Sequence, residues 1–187
     1  MPSGSVQGKE SLLKIRTATA EDAAAIAWVQ VTSWRQTYAG IVPQVHLDAL
    51  DAGERAPRWS ERILARENVI LAAEDAGGVF GFAAGGPAMH PVEGYDGELV
   101  GLYLVASYHR RGVGRELVRE FAARMAQDGF RSLVVWALRE NPACGFYRRL
   151  GGVEVAETTI EVGGVALPEV AFGWKEIGAL FAAESSR

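Results

Sequence analysis

A chain of 187 residues, 49% hydrophobic and 22% charged, is long enough to bury a sizeable core and too apolar to be intrinsically disordered. A formal net charge of −4 argues against a nucleic-acid partner, and no stretch approaches the ~18–20 apolar residues that cross a bilayer. The single cysteine, Cys144, excludes a disulfide framework and a cysteine metal cluster.

Residues 1–11 are polar and lack the apolar centre of a signal peptide, so they are read as a flexible lead-in to one domain over 12–187, with a cytoplasmic setting. Leu12 to Arg16 suits a first strand. Thr19 is expected to cap a helix that begins with Glu21 and Asp22 and runs to about Tyr38, with Ile26, Val29 and Ser33 as its inner stripe. Gly40 and Pro43 break it. Shorter helical segments follow around Gln44–Leu50 and from Pro57, at a first helical position, to about Arg66.

Val69–Glu74 and Val79–Ala84 flank Asp75-Ala76-Gly77-Gly78, a hairpin signal. A Gly/Pro-rich loop is expected from Gly85 to Gly97. Leu99–Val105 is nearly all apolar, as in a strand covered on both faces. Val113, Leu117, Val118, Phe121 and Met125 then recur at helical spacing, Ser132–Leu138 is another buried strand, and Asn141-Pro142 opens a helix that Gly151-Gly152 ends. Val153–Val162 and Val165–Trp174 form a terminal hairpin around Gly163-Gly164. The element order is written β-α-α-β-β-β-α-β-α-β-β, an α/β fold with a mixed central sheet flanked by helices on both sides.

The turn His109-Arg110-Arg111-Gly112-Val113-Gly114 sits between a buried strand and an amphipathic helix. Glycines there let several backbone N–H groups and the positive helix end face one point, a geometry suited to phosphate or pyrophosphate, with Arg110, Arg111 and Arg115 adding positive charge. A bare G-x-G is also compatible with an ordinary tight turn. About thirty residues on comes Asn141-Pro142-Ala143-Cys144-Gly145-Phe146-Tyr147, with Gly151 behind it.

These two runs resemble the signatures of the GNAT superfamily of acetyl-CoA-dependent N-acetyltransferases: Gln/Arg-x-x-Gly-x-Gly/Ala after a central strand, then Asn-x-x-Ala/Cys-x-x-Phe-Tyr-x-x-x-Gly. His109 departs from the usual first residue. By element order the resemblance covers Leu12 to Trp174. It implies a GNAT-like fold and acetyl-CoA as acetyl donor, with the pyrophosphate on the amides of His109, Arg110, Arg111, Gly112, Val113, Gly114 and Arg115. It also implies pantetheine along the backbone of Leu102, Tyr103 and Leu104 and beside Asn141, and the thioester sulfur beside Tyr147. Asn141 suits a helix cap in any case.

The chemistry of these groups fits acyl transfer. A leaving thiolate has a conjugate acid of pKa ~8.5, and a phenol of pKa ~10 beside it can donate a hydrogen bond or a proton. Tyr147 could otherwise be a core aromatic. An attacking alkylamine of pKa ~10.4 lies about 4–5 kcal/mol from its neutral form at pH 7, so a carboxylate that accepts its proton, directly or through water, helps. Glu98, at the start of the strand before the turn, is the candidate base; it could also be a solvated strand-end acid. Trp34 and Tyr38, four apart on one helix face, belong to a run up to Pro43 that resembles a recurring feature of bacterial GNAT proteins. They could line a pocket for a cationic amine or pack the core. His46, His90 and His109 are scattered without ligand spacing, so no metal is expected. Cys144 lacks a nearby histidine and reads as a small core residue.

The expected activity is acetyl transfer from acetyl-CoA to a primary amine, small-molecule or peptide, by direct attack in a ternary complex. Alternatives are a catalytically inactive CoA-binding regulatory or interaction module, and a nucleotide-binding enzyme, which would need the Gly-Lys-Ser/Thr that is missing here. The terminal hairpin or an exposed strand edge could support a homodimer.

Overall fold

The computed structural model describes residues 13–182; the expected lead-in lies outside them. After β1 (Lys14–Thr17) come α1 (Ala23–Thr37), α2 (Gln44–Asp48) and α3 (Ala52–Ala65). A hairpin of β2 (Val69–Asp75) and β3 (Gly78–Pro87) leads to β4 (Gly97–Leu104), followed by α4 (Val113–Gln127), β5 (Leu133–Leu138), α5 (Ala143–Arg149), β6 (Val153–Val162) and β7 (Val165–Trp174). The strands form one sheet in the order β1-β2-β3-β4-β5-β7-β6. It is a mixed sheet: β4 and β5 are parallel and the other neighbours antiparallel.

Period-two alternation sends successive strand side chains to opposite faces. Ile70 and Ala72 pack under α1 and α3 with Ile26, Val29, Trp59 and Phe82. Leu71 and Ala73 pack on the other face, under Leu117, Phe121 and Met125 of α4. A third cluster joins Tyr38, Val42 and Leu47 to Leu138 and Leu167. Each large apolar side chain buried this way contributes about 1.5–3 kcal/mol.

Some element boundaries differ from expectation. Three α-helices, not two, precede the second strand. The helix expected at Thr19 opens with a 3₁₀ turn over Ala20–Asp22, and the Asp22 carboxylate accepts the Thr19 N–H at 2.7 Å. Pro57 lies inside α3, because Asp51 starts that helix earlier by accepting the Glu54 N–H at 2.9 Å. The expected loop from Gly85 to Gly97 begins later: β3 runs on to Pro87, with Gly85, Gly86 and Pro87 opposite Leu99, Glu98 and Gly97. Glycine allows this, since a side chain at Gly85 would collide with the Glu98 carbonyl.

The contact between β4 and β5 positions everything that follows. Only Gly97↔Leu133 and Glu98↔Val134 are paired. Beyond them β4 follows β3 to Leu104, while β5 follows β7 to Leu138. The shared end is pinned by Asp96, whose carboxylate accepts the N–H groups of Arg131 and Ser132 and the Ser132 hydroxyl. At Val100 the β3–β4 register slips by one residue, from Gly85↔Leu99 to Ala84↔Gly101. Such a bulge bends and twists its strand, and here it marks where β4 parts from β5.

Candidate active site

The parting strands open at their C-terminal ends, where α/β sheets receive ligands. Past Glu98, β4 carries main-chain donors and acceptors that β5 does not pair. The Leu104 carbonyl is already engaged, by the Ser33 hydroxyl at 3.1 Å and by His109 Nε2 at 3.0 Å. His109 thereby ties the turn that follows back to the end of its strand. The Leu102 side chain packs against the α4 side of the sheet, whereas Tyr103 packs towards α1.

After β4 a short 3₁₀ turn over Ala106–Tyr108 leads to Arg110 at φ 59° and Gly112 at φ 82°. Two left-handed residues in alternation curl successive N–H groups inward, and the first turn of α4 leaves the amides of Val113 and Gly114 without intrahelical acceptors. Gly112 is required by its positive φ. A Cβ at Gly114 would stand 3.4 Å from Leu104 Cδ1 and 3.5 Å from Phe146 Cζ, so this turn, the end of β4 and α5 converge. The turn is braced from below. Tyr108 stacks on Phe80 with ring centroids 3.7 Å apart, donates to Asp75 at 2.7 Å, and carries the Arg111 guanidinium over its face. Arg110 and Arg115 are exposed.

Asn141 opens α5 as a cap: its Oδ1 accepts the Ala143 N–H at 2.8 Å, while its Nδ2 donates to the Tyr38 hydroxyl at 2.9 Å. Tyr38 thus links the end of α1 to the start of α5. Trp34 and Tyr38 lie with ring centroids 4.7 Å apart, and Trp34 Nε1 donates to the Tyr103 hydroxyl at 3.1 Å. Tyr38 is buried within the third cluster, with Trp34 packed against it. Aromatic hydroxyls from α1, β4 and α5 therefore gather on either side of the opening.

The Tyr147 ring is buried against Phe146, Phe172 and Trp174. Burial pushes its phenol well above the usual range, and Tyr38, Tyr103 and Cys144 lie close enough to raise it further. At working pH it is a protonated donor. Burial also raises the Cys144 thiol, whose Sγ donates to the Leu138 carbonyl, so the sulfur is held as a thiol.

Glu98 is 2% exposed, which corrects the reading of a solvated strand-end acid. Its Oε2 accepts the N–H groups of Met89 and His90 at 2.8 and 2.9 Å, and its Oε1 lies 3.0 Å from His90 Nδ1. Sequence reasoning passed over His90, because a loop has no periodicity to bring a histidine back to a carboxylate eight residues on. It also missed Glu169 on β7, whose carboxyl is raised by burial and next lowered by His90.

Residues 28–152 match the model of the acetyltransferase (GNAT) family. The chain belongs to the GNAT family. Its motifs, the turn before α4 and the Asn141–Tyr147 run, fall within that match. The chain is 41% identical over 169 residues to the uncharacterized N-acetyltransferase YuaI of Bacillus subtilis (strain 168), covering 90% of this chain and 96% of that one. Among solved structures, yncA from Salmonella typhimurium with its cofactor acetyl-CoA shares the fold at TM-score 0.68 and 21% identity, over 95% of this chain and 98% of that one. The PaiA N-acetyltransferase of Thermoplasma acidophilum in complex with coenzyme A is similar at TM-score 0.65 and 21% identity, over 84% and 98%. This GNAT chain is an N-acetyltransferase by class. Among its described residues no helix is long and apolar enough to cross a membrane, and no group of three or more His, Cys, Asp or Glu side chains could hold a metal.

Proposed function

We propose that this GNAT protein moves an acetyl group from acetyl-CoA to a primary amine, on a small molecule or a peptide, by direct attack within a ternary complex. The observation that carries this reading is the convergence of the Arg110–Gly114 turn, the unpaired side of β4 and the Phe146–Tyr147 pair at one opening in the sheet. The turn amides and the α4 N-terminus suit the diphosphate. An extended pantetheine arm can hydrogen-bond the free side of β4 from the bulge at Val100 through Leu102 and Tyr103, as a missing strand would. Main-chain donors near the bulge can polarise the thioester carbonyl. Two structures of the same fold hold acetyl-CoA or coenzyme A, which supports that donor here.

With the acyl group at the bulge, Tyr147 lies on the leaving-group side and donates to the sulfur as its charge develops. Glu98 belongs to the side from which the amine enters. Trp34 and Tyr38 border that side from α1 and orient the acceptor against the opening. Much of the acceleration comes from holding the amine and thioester in line. Cys144, the only cysteine, is a free buried thiol, in keeping with a reducing cytoplasmic setting.

The test is a thermal shift with acetyl-CoA followed by release of free thiol across an amine panel. Stabilisation with amine-dependent thiol release supports acetyl transfer. Stabilisation without turnover on any amine replaces it with a CoA-binding module.

A further inference from the structure

The loop between β3 and β4 folds back over Glu98 and presents a histidine in front of it. Both carboxylate oxygens are engaged, one by two main-chain N–H groups and the other by the His90 ring. Glu98 is 2% exposed, but the His90 side chain is 66% exposed. An incoming amine therefore meets the imidazole before it can meet the carboxylate. The carboxylate partner draws the ring proton to Nδ1, which leaves the Nε2 lone pair as an acceptor.

The position of this pair matters as much as its pairing. Glu98 and Val134 are the last residues to pair before β4 and β5 separate, and the Val100 bulge lies two residues farther along. His90 lines a cleft of about 1010 Å³ together with Tyr95, Trp136, Ile160 and Glu169. Trp136 Nε1 donates to the His90 carbonyl at 3.4 Å and steadies the loop over β5. The imidazole thus stands between an open cleft and the vertex of the sheet.

We propose that His90 takes the proton from the acceptor amine and that Glu98 is a positioning residue acting through it. This rests on the acetyl-transfer reading above. The neutral amine forms a C–N bond to the thioester carbonyl carbon, and the N–H proton of the resulting ammonium centre passes to His90 Nε2. Collapse of the tetrahedral intermediate breaks the C–S bond and leaves the electron pair on sulfur, where Tyr147 donates to it. The thiolate then takes a proton from water and the imidazolium returns one to water, so the exchange balances.

Several ionisable groups face His90. Glu98 comes from β4, and Glu169 comes from β7 and is coupled to both members of the pair. The cleft also carries Glu93 and Tyr95 from the same loop, Glu157 from β6, and Lys175 just after β7. Glu157 is paired with Arg139.

The test measures kcat/KM against pH by thiol release, using the first amine of a panel to turn over and a less basic β-fluorinated analogue of it. Wild type is expected to show an acidic limb common to both amines. His90→Gln should lose about 100-fold in rate, and its remaining limb should follow the basicity of each amine. Its acetyl-CoA affinity should be unchanged, since His90 lies outside the turn before α4. Added imidazole should restore rate to His90→Ala. Glu98→Gln removes the carboxylate that orients the ring, so it should lower kcat while leaving the KM for the amine and the acetyl-CoA affinity unchanged. A His90→Gln enzyme with the wild-type rate and profile overturns the assignment, as does one that has lost acetyl-CoA binding. Wild type that releases no thiol with any amine overturns both the assignment and the activity it rests on.

Discussion

Replacing Tyr147 by Phe removes one hydroxyl and leaves the ring in place among Phe146, Phe172 and Trp174. Among the described residues no hydrogen-bond partner engages that hydroxyl, so folding loses little, less than about 1 kcal/mol. The catalytic loss follows from acidity. Even an ordinary phenol of pKa ~10 is weaker than a thiol of ~8.5, so full proton transfer to the departing sulfur runs about 2 kcal/mol uphill. Burial raises the Tyr147 phenol further and increases that penalty. Tyr147 therefore works mainly as a hydrogen-bond donor to developing charge, an interaction of about 1.5–3 kcal/mol. The expected result for Tyr147→Phe is a kcat lower by roughly 10- to 150-fold, with acetyl-CoA affinity retained. Because the phenol stays protonated across the working range, the pH profile should keep its shape. Thiol-release kinetics from pH 6 to about 9, with melting curves alongside, provide the measurement. Full turnover in the variant, or a kcat loss matched by a collapse in melting temperature, would refute the reasoning.

Two glycines of the turn should separate by mechanism. Gly112→Ala places a Cβ residue at φ 82° and should cost about 1–2 kcal/mol of stability, seen as a lower urea midpoint. Gly114→Ala meets only ordinary contacts with Leu104 and Phe146; its melting temperature should stay within about 2 °C while calorimetry shows acetyl-CoA binding weakened roughly tenfold or more. Tyr38→Phe and Asn141→Ala should couple by about 1 kcal/mol in a double-mutant cycle of denaturant stabilities, the worth of their shared bond. Asn141→Ala should lose about a further 1 kcal/mol from its cap on Ala143. Hydrogen bonds from Arg16 hold the Asp22 and Glu74 carboxyls below the usual range. Such groups add stability that is complete above their unfolded pKa and disappears as pH falls through the lower folded one. Urea midpoints should thus be level from about pH 5 to 7 and fall below about pH 4. Asp22→Asn should flatten that fall and cost about 2 kcal/mol at pH 7.

The order of strands and helices was legible along the chain because it depends on local signals. Apolar spacing at Val113, Leu117 and Phe121, the hairpin residues Asp75–Gly78 and Gly163–Gly164, and the Asn141 cap each act within a few residues. The left-handed turn at Gly112 was equally local, and with the Asn141–Tyr147 run it was enough to mark the family. Element ends were less legible where a neighbour decided them: Gly85 to Pro87 became strand only because Leu99 to Gly97 lay alongside. The parting of β4 from β5, the meeting of Gly114 with Phe146, and the Tyr38–Asn141 bond across 103 residues of chain were decided by tertiary structure alone. So was the environment of Glu98, which one sequence can read as surface or core. Burial and pairing are properties of what packs against a residue, and the loop that brings His90 onto Glu98 carries no repeating pattern from which that contact could be read.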